Sequence, residues 1–227
     1  IWEYAEGTHT WNAGNIELID FSPLWSMFGA PGEVLAEWSE GLATRGVVRE
    51  LQVRFSPEQN WQFYAQADEL DWQPHRGVPG ISGLQLEVWS TPSQGNFVVG
   101  GNEIRLNSPA TYNDDKALTE LDIRGGWLQT NGDWVFDIDS ATFGLPGAEI
   151  QQRLRVSGGQ QDGVTMDWLV VGGSHGMAVL DVITLLPLQM GENLGNYLTE
   201  SLLHGEVDDL RMVWRGPING FPYDAGE

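Results

Sequence analysis

The carboxylate pair in Glu69-Leu70-Asp71-Trp72-Gln73 is the grouping in this sequence best suited to chemistry. Residues two apart on a strand share a face, so acid–x–acid sets two carboxylates side by side, as in β-sandwich glycosidases that use Glu-x-Asp-x-x-Glu. That arrangement needs a third carboxylate, and here Trp72, Gln73, Pro74 and His75 follow instead. In a chain this rich in acids the pair reads as an acidic strand end. Asp137-Ile138-Asp139 lacks the glycine-bearing loop and further oxygens of a calcium site, and reads as the wet face of a strand. The four histidines, His9, His75, His175 and His204, are dispersed, and cysteine is absent. Thiolate zinc sites, iron–sulfur clusters, disulfides and cysteine nucleophiles are therefore excluded. Gly172-Gly173-Ser174-His175-Gly176 lacks the Gly-x-Ser-x-Gly order of a nucleophile loop and is expected to be a turn. No Gly-Lys-Ser/Thr phosphate cradle occurs. The expectation is no enzyme, no metal and no cofactor.

Composition narrows the partners. Among 227 residues, 32 acids face 11 Lys+Arg, for a net charge of −21. Nucleic-acid binding draws on lysine and arginine releasing counterions, so it is excluded, as is adhesion of a basic face to anionic headgroups. Only 19% of residues are charged while 41% are hydrophobic, so the chain folds around a large buried surface and is not an acidic tail. The longest apolar run, Met177 to Met190, is too short to span a bilayer and contains Asp181 and Pro187. The chain begins at Ile1 without Met, and is expected to be a section of a longer or processed polypeptide. No linker-like stretch divides it, so residues 1–227 are expected to form one domain.

The elements that would position any site follow mostly a period of two. Val53 and Phe55 alternate with Gln52 and Arg54; Trp61 and Phe63 with Gln62 and Tyr64; Leu86 and Val88 with Gln85 and Glu87. Gly95-Asn96 is expected to be a turn leading into Phe97 to Val99. Leu121, Ile123 and Trp127 run into Asn131-Gly132, a type I′ hairpin signal. The return strand sets Trp134, Phe136 and Ile138 against Asp133, Val135, Asp137 and Asp139. Ile150 to Val156, Met166 to Val170 and Leu210 to Trp214 continue the pattern. Short Gly, Asn and Asp turns between such runs predict an antiparallel meander with one greasy and one wet face. Helices are predicted at Leu24–Phe28 behind the Ser22-Pro23 cap, at Glu33–Leu42, and over Leu194–Leu202 ending at Gly205. Met177–Leu186 fits either a helix or a strand.

A one-faced apolar sheet must be covered by a second sheet, by helices or by a ligand. The predicted helices are too few to cover it. From pattern alone a folded-over sandwich leads, because packed cores outnumber lipid grooves, with a gutter around something greasy behind it.

Several ordered motifs shift that balance. Leu186-Pro187-Leu188-Gln189-Met190, Tyr197-Leu198-Thr199-Glu200-Ser201, His204-Gly205-Glu206-Val207 and Trp214-Arg215-Gly216-Pro217-Ile218-Asn219-Gly220-Phe221-Pro222-Tyr223 occur in sequence. With Leu18 to Phe28, Arg45 to Leu51 and Val78-Pro79-Gly80-Ile81-Ser82-Gly83-Leu84, this set resembles the YhdP-type branch of the AsmA-like family across most of the chain. The resemblance implies a mainly β fold: an extended, curved antiparallel β-sheet, a taco-like β-groove, with a few short helices. It implies a section of a bridge-like protein of the Gram-negative envelope, anchored in the inner membrane, whose periplasmic groove carries phospholipid acyl chains toward the outer membrane. The implied partners are acyl chains and adjacent sections of the same polypeptide, with membrane contact only through other segments. No catalytic residues carry over. Alternation assigns the groove lining to Val53, Phe55, Trp61, Phe63, Leu86, Val88, Val99, Leu106, Ile123, Trp127, Trp134, Phe136, Ile138, Leu154, Val156, Trp168, Val170, Met212 and Trp214. The competing expectation is a carbohydrate-binding or glycoside-hydrolysing β-sandwich.

Overall fold

Antiparallel pairing of neighbours in sequence builds nearly the whole structure. The computed structural model describes residues 2–5, 7–21, 30–56, 61–112, 114–158, 167–184 and 192–217. Its strands are β1 (Trp2–Ala5), β2 (Thr8–Ala13), β3 (Ile16–Glu17), β4 (Arg45–Phe55), β5 (Trp61–Trp72), β6 (Gly80–Ser90), β7 (Gln94–Asn107), β8 (Lys116–Thr130), β9 (Asp133–Leu145), β10 (Ala148–Gly158), β11 (Asp167–Ala178) and β12 (Glu206–Pro217). All twelve lie in a single sheet ordered β1-β2-β4-β5-β6-β7-β8-β9-β10-β11-β12, with β3 paired to β4. The sheet is open, β1 and β12 being its edges. The fold is the predicted one: mainly β, antiparallel, with few short helices.

The connections divide the sheet into two unlike ends. Hairpin turns such as Asn131-Gly132, with φ of 54° and 89°, close one end, as the sequence predicts. The helices α1 (Leu18–Phe21), α2 (Ala30–Leu42), α3 (Val179–Thr184) and α4 (Glu192–Ser201) all attach to the other. There α2 docks on the β5–β6 connection. Its Trp38 meets His75 edge-on at 5.7 Å, Arg76 bonds Glu37 at 2.7 Å, and the Leu42 carbonyl accepts from the Gln73 N–H at 2.7 Å.

A line of irregularities crosses the sheet toward this helical end. Register shifts separate Val48 from Glu50 in β4, Ala67 from Leu70 in β5 and Ser82 from Gln85 in β6. Along the same line, Glu69, Gly83 and Glu103 take φ of 54°, 83° and 56°. Gly101 lies so close to its neighbour that a Cβ there would come within 2.7 Å of the Gly83 carbonyl. Bulges bend the strand that carries them and raise its local twist, so a file of bulges across adjacent strands folds the sheet along that line. The buried core gathers at this crease: Val48, Leu51, Leu70, Leu84, Leu118, Leu121 and Ile104, the last with 0% exposure.

Two local expectations are corrected. Gly95-Asn96 is not a turn: both residues pair with β6, and the reversal spans Thr91 to Gln94. Gly95 is needed because the Trp127 ring lies over it, where a Cβ would overlap Cζ2. Gly172 to Gly176 lies within β11, paired with β10 and β12, because a Cβ at Gly172 would crowd the Gln151 carbonyl at 2.9 Å and one at Gly173 would strike the Leu210 carbonyl. Met177–Leu186, whose pattern fits either a helix or a strand, is both in its described part, β11 passing into α3 (Val179–Thr184) after Ala178. The predicted Leu24–Phe28 helix, Met166 and the segments 185–191 and 218–227 lie outside the described residues.

Candidate functional site

Opposed residues in an antiparallel sheet share a face, so the pairing register shows which side chains line up. One transverse row runs Trp2, Trp11, Val53, Phe63, Ser90, Gly95, Trp127, Phe136, Val156, Trp168 and Gly216. The next runs Ala13, Leu51, Ala65, Val88, Phe97, Gly125, Ile138, Leu154, Val170 and Trp214. A third runs Val48, Ala67, Leu86, Val99, Ile123, Ala141, Gln152, Gly172 and Met212. Phe55 and Trp61 oppose each other outside the first row, Trp134 opposes Gly158 there, and Leu106 opposes Ile81 at the helical end. The register therefore brings the residues assigned by alternation, except Leu106, to a single face broken by few polar residues, among them Ser90 and Gln152. Leu106 lies past the break in alternation at Glu103 and pairs with Ile81 and Lys116.

Sequence reasoning omitted Trp11 and Phe97, which sit in the first two rows. The signal for both was available, in the Thr-His-Thr-Trp-Asn-Ala alternation of β2 and the Phe97–Val99 spacing.

No second sheet among the described residues covers this face, because all the strands belong to the one sheet. Burial on it is uneven. Leu84 and Leu121, near the crease, are 3% and 4% exposed, whereas Phe55 is 48% and Met212 39% exposed. Phe136 and Ile138 are half-buried. The hairpin end is aromatic. There Phe97 stacks on Phe136 at 5.4 Å and 17°, Trp127 lies over Gly95, and Trp134 over Gly158. Each Trp–Gly pair is directly opposed in register, which lets the rings lie across the neighbouring strand.

The opposite face carries most of the ion pairs, interspersed with exposed apolar side chains such as Leu128, Val171 and Val213. Arg49 bonds Asp68 at 3.0 Å, Arg124 bonds Asp122 at 3.0 Å, Arg155 pairs with Asp137, and Arg211 with Asp209 at 2.9 Å. The neighbouring carboxylates hold the Arg124 and Arg155 guanidinium groups above their usual pKa. Such exposed pairs contribute little to stability, because solvent screens them. On the same face Tyr64 donates to Glu87 at 3.3 Å; desolvation first, then the Glu87 charge, raises its phenol pKa. A shallow depression of ≈ 690 Å³ spans β9 to β11, with Glu149, Arg153 and His175 at its sides.

The acidic pair is not a catalytic dyad on a regular strand. Glu69 sits at a bulge with φ of 54°, which breaks the alternation that would align it with Asp71. Asp71 instead accepts the Gly83 N–H at 2.8 Å, bracing the crease. Among the described residues no three His, Asp or Glu side chains gather as a metal site. No described helix is long and apolar enough to cross a membrane.

A family model described as YhdP protein matches residues 2–227. No curated protein and no solved structure gives a match.

Proposed function

Because the chain belongs to the YhdP family, we propose that it is a section of a bridge-like lipid-transport protein whose apolar sheet face carries phospholipid acyl chains between the inner and outer membranes. The observation that carries this reading is the set of transverse apolar rows crossing an open sheet that no second sheet covers among the described residues. An uncovered apolar surface this large calls for an occupant. Acyl chains gain about 0.8 kcal/mol per buried CH₂ without specific polar contacts, so repeated Val, Leu, Phe and Trp rows offer many shallow sites. Rows running across the strands give a chain a path from edge to edge. Adjacent sections of the same polypeptide would extend the sheet by pairing with the free edges of β1 and β12. The ion-paired face keeps such a rod wet in the periplasm, in a full-length protein anchored in the inner membrane elsewhere in its sequence.

The competing sandwich needs the sheet to fold over and pack on itself, and among the described residues the substantial strand–strand contacts all run between hydrogen-bonded neighbours. The experiment separating lipid carriage from sugar chemistry offers the purified protein a fluorescent-acyl phospholipid in parallel with a panel of β-glucans. Retention of the phospholipid through gel filtration, without glucan turnover, is expected. Glucan hydrolysis abolished by Glu69→Gln would overturn the reading.

A further inference from the structure

We infer that a phospholipid bound on this face lies with its headgroup at the hairpin end and its acyl termini toward the helical end. This rests on the lipid-carrying reading above and adds a polarity to it. The first support is chemical grading along the strands. Toward the helical end the face is aliphatic, with Leu86, Val99 and Ile123 half-buried in one row, whereas the hairpin end offers Trp61, Trp127 and Trp134. Indole is amphipathic and settles where an apolar phase meets a polar one, its ring among chains and its N–H toward esters or phosphate.

The second support is the state of those N–H groups. Trp72, at the helical end, donates its indole N–H to the Pro79 carbonyl at 2.8 Å. Among the described residues, the Trp127 and Trp134 indoles have no hydrogen-bond partner. They remain available to an ester or phosphate oxygen. The third support is charge. Acidic side chains outnumber cations at the helical end, where Glu40 on α2, Asp114 and Asp115 in the β7–β8 connection, Asp181 on α3 and Glu206 at the start of β12 stand against Arg45 and Lys116, with Glu37 paired to Arg76; at the hairpin end Asp133 and Asp167 open β9 and β11. A phosphate placed there would be repelled, while uncharged acyl termini would not.

The cysteine-free sequence makes the test direct, because one introduced thiol is the only labelling site. Ser93, exposed in the β6–β7 hairpin, and Asp114, exposed in the β7–β8 connection, mark the two ends. Ser93→Cys and Asp114→Cys, each carrying a rhodamine acceptor, are loaded with phosphatidylethanolamine bearing a nitrobenzoxadiazole donor on its headgroup, and separately with one labelled at the acyl terminus. A strand of a dozen residues spans about 40 Å, enough for about a twofold difference in energy transfer between the labels. The headgroup donor is expected to favour Ser93→Cys and the acyl donor Asp114→Cys. Trp127→Phe combined with Trp134→Phe keeps the apolar rings but removes the N–H groups; it is expected to hold less lipid and to bring the ratio toward one in the fraction that stays loaded. Equal or inverted ratios in loaded protein would overturn the polarity and leave lipid carriage standing. Unchanged ratios in the double variant would overturn the anchoring by the indoles. Failure of every variant to retain either lipid would overturn the lipid reading and this inference with it.

Discussion

Ile104→Asp is expected to leave the protein unfolded. Ile104 is 0% exposed and packs against the crease, with its Cδ1 3.6 Å from where a Gly83 Cβ would stand. Truncating a buried isoleucine costs about 2–5 kcal/mol through lost transfer and the cavity left behind. The aspartate adds the desolvation of a carboxylate with no partner, or the cost of keeping it protonated. Domains have only about 5–15 kcal/mol in hand, so the two effects together consume most or all of it. Loss of the β circular dichroism signal, or insoluble expression, is the expected result. A cooperative unfolding transition within a few degrees of the parent would contradict the placement of the core at the helical end.

Phe136→Glu is expected to do the reverse: leave the fold in place and abolish lipid retention. Phe136 is half-buried on the same sheet face, toward the hairpin end, where its packing partner is the Phe97 ring. Losing that stack costs about 0.5–1.5 kcal/mol beyond the area involved. For a chain of this size losing the stack alone lowers the melting temperature by about 1–6 °C. With the face empty the new carboxylate reaches water; with phospholipid on it the charge would sit unpaired against the ester and phosphate oxygens placed at this end, a repulsion and desolvation that cost several kcal/mol. Val135→Glu, one residue away on the ion-paired face opposite Leu128, should alter neither property. Circular dichroism and lipid quantification on both variants check the pair. An unfolded Phe136→Glu would mean that protein, not lipid, covers this ring.

Much of this was legible in the sequence, because alternation is a local property. Trp134, Phe136 and Ile138 against Asp133, Asp137 and Asp139 fix a face without knowledge of any neighbour, and Asn131-Gly132 fixes the register with β8. The stripe on Glu33–Leu42 likewise foretold the C-terminal part of α2. What escaped was set by partners distant along the chain. Gly95-Asn96 carries the composition of a turn, yet the glycine answers to Trp127 on the next strand. Gly172 and Gly173 answer to Gln151 and Leu210 in the same way. The crease was hidden for another reason: Glu69 and Glu103 hold positive φ that no local preference of glutamate suggests. Tertiary bending imposed those conformations, and with them broke the apparent same-face pairing of Glu69 and Asp71.

The central claim, that the apolar face is occupied by lipid, is tested most directly by organic extraction and mass spectrometry of the protein purified from a Gram-negative host without added lipid. Phospholipid is expected in the extract in stoichiometric amount from the parent and from Val135→Glu, and absent from Phe136→Glu. An extract free of phospholipid from correctly folded parent protein would contradict the account.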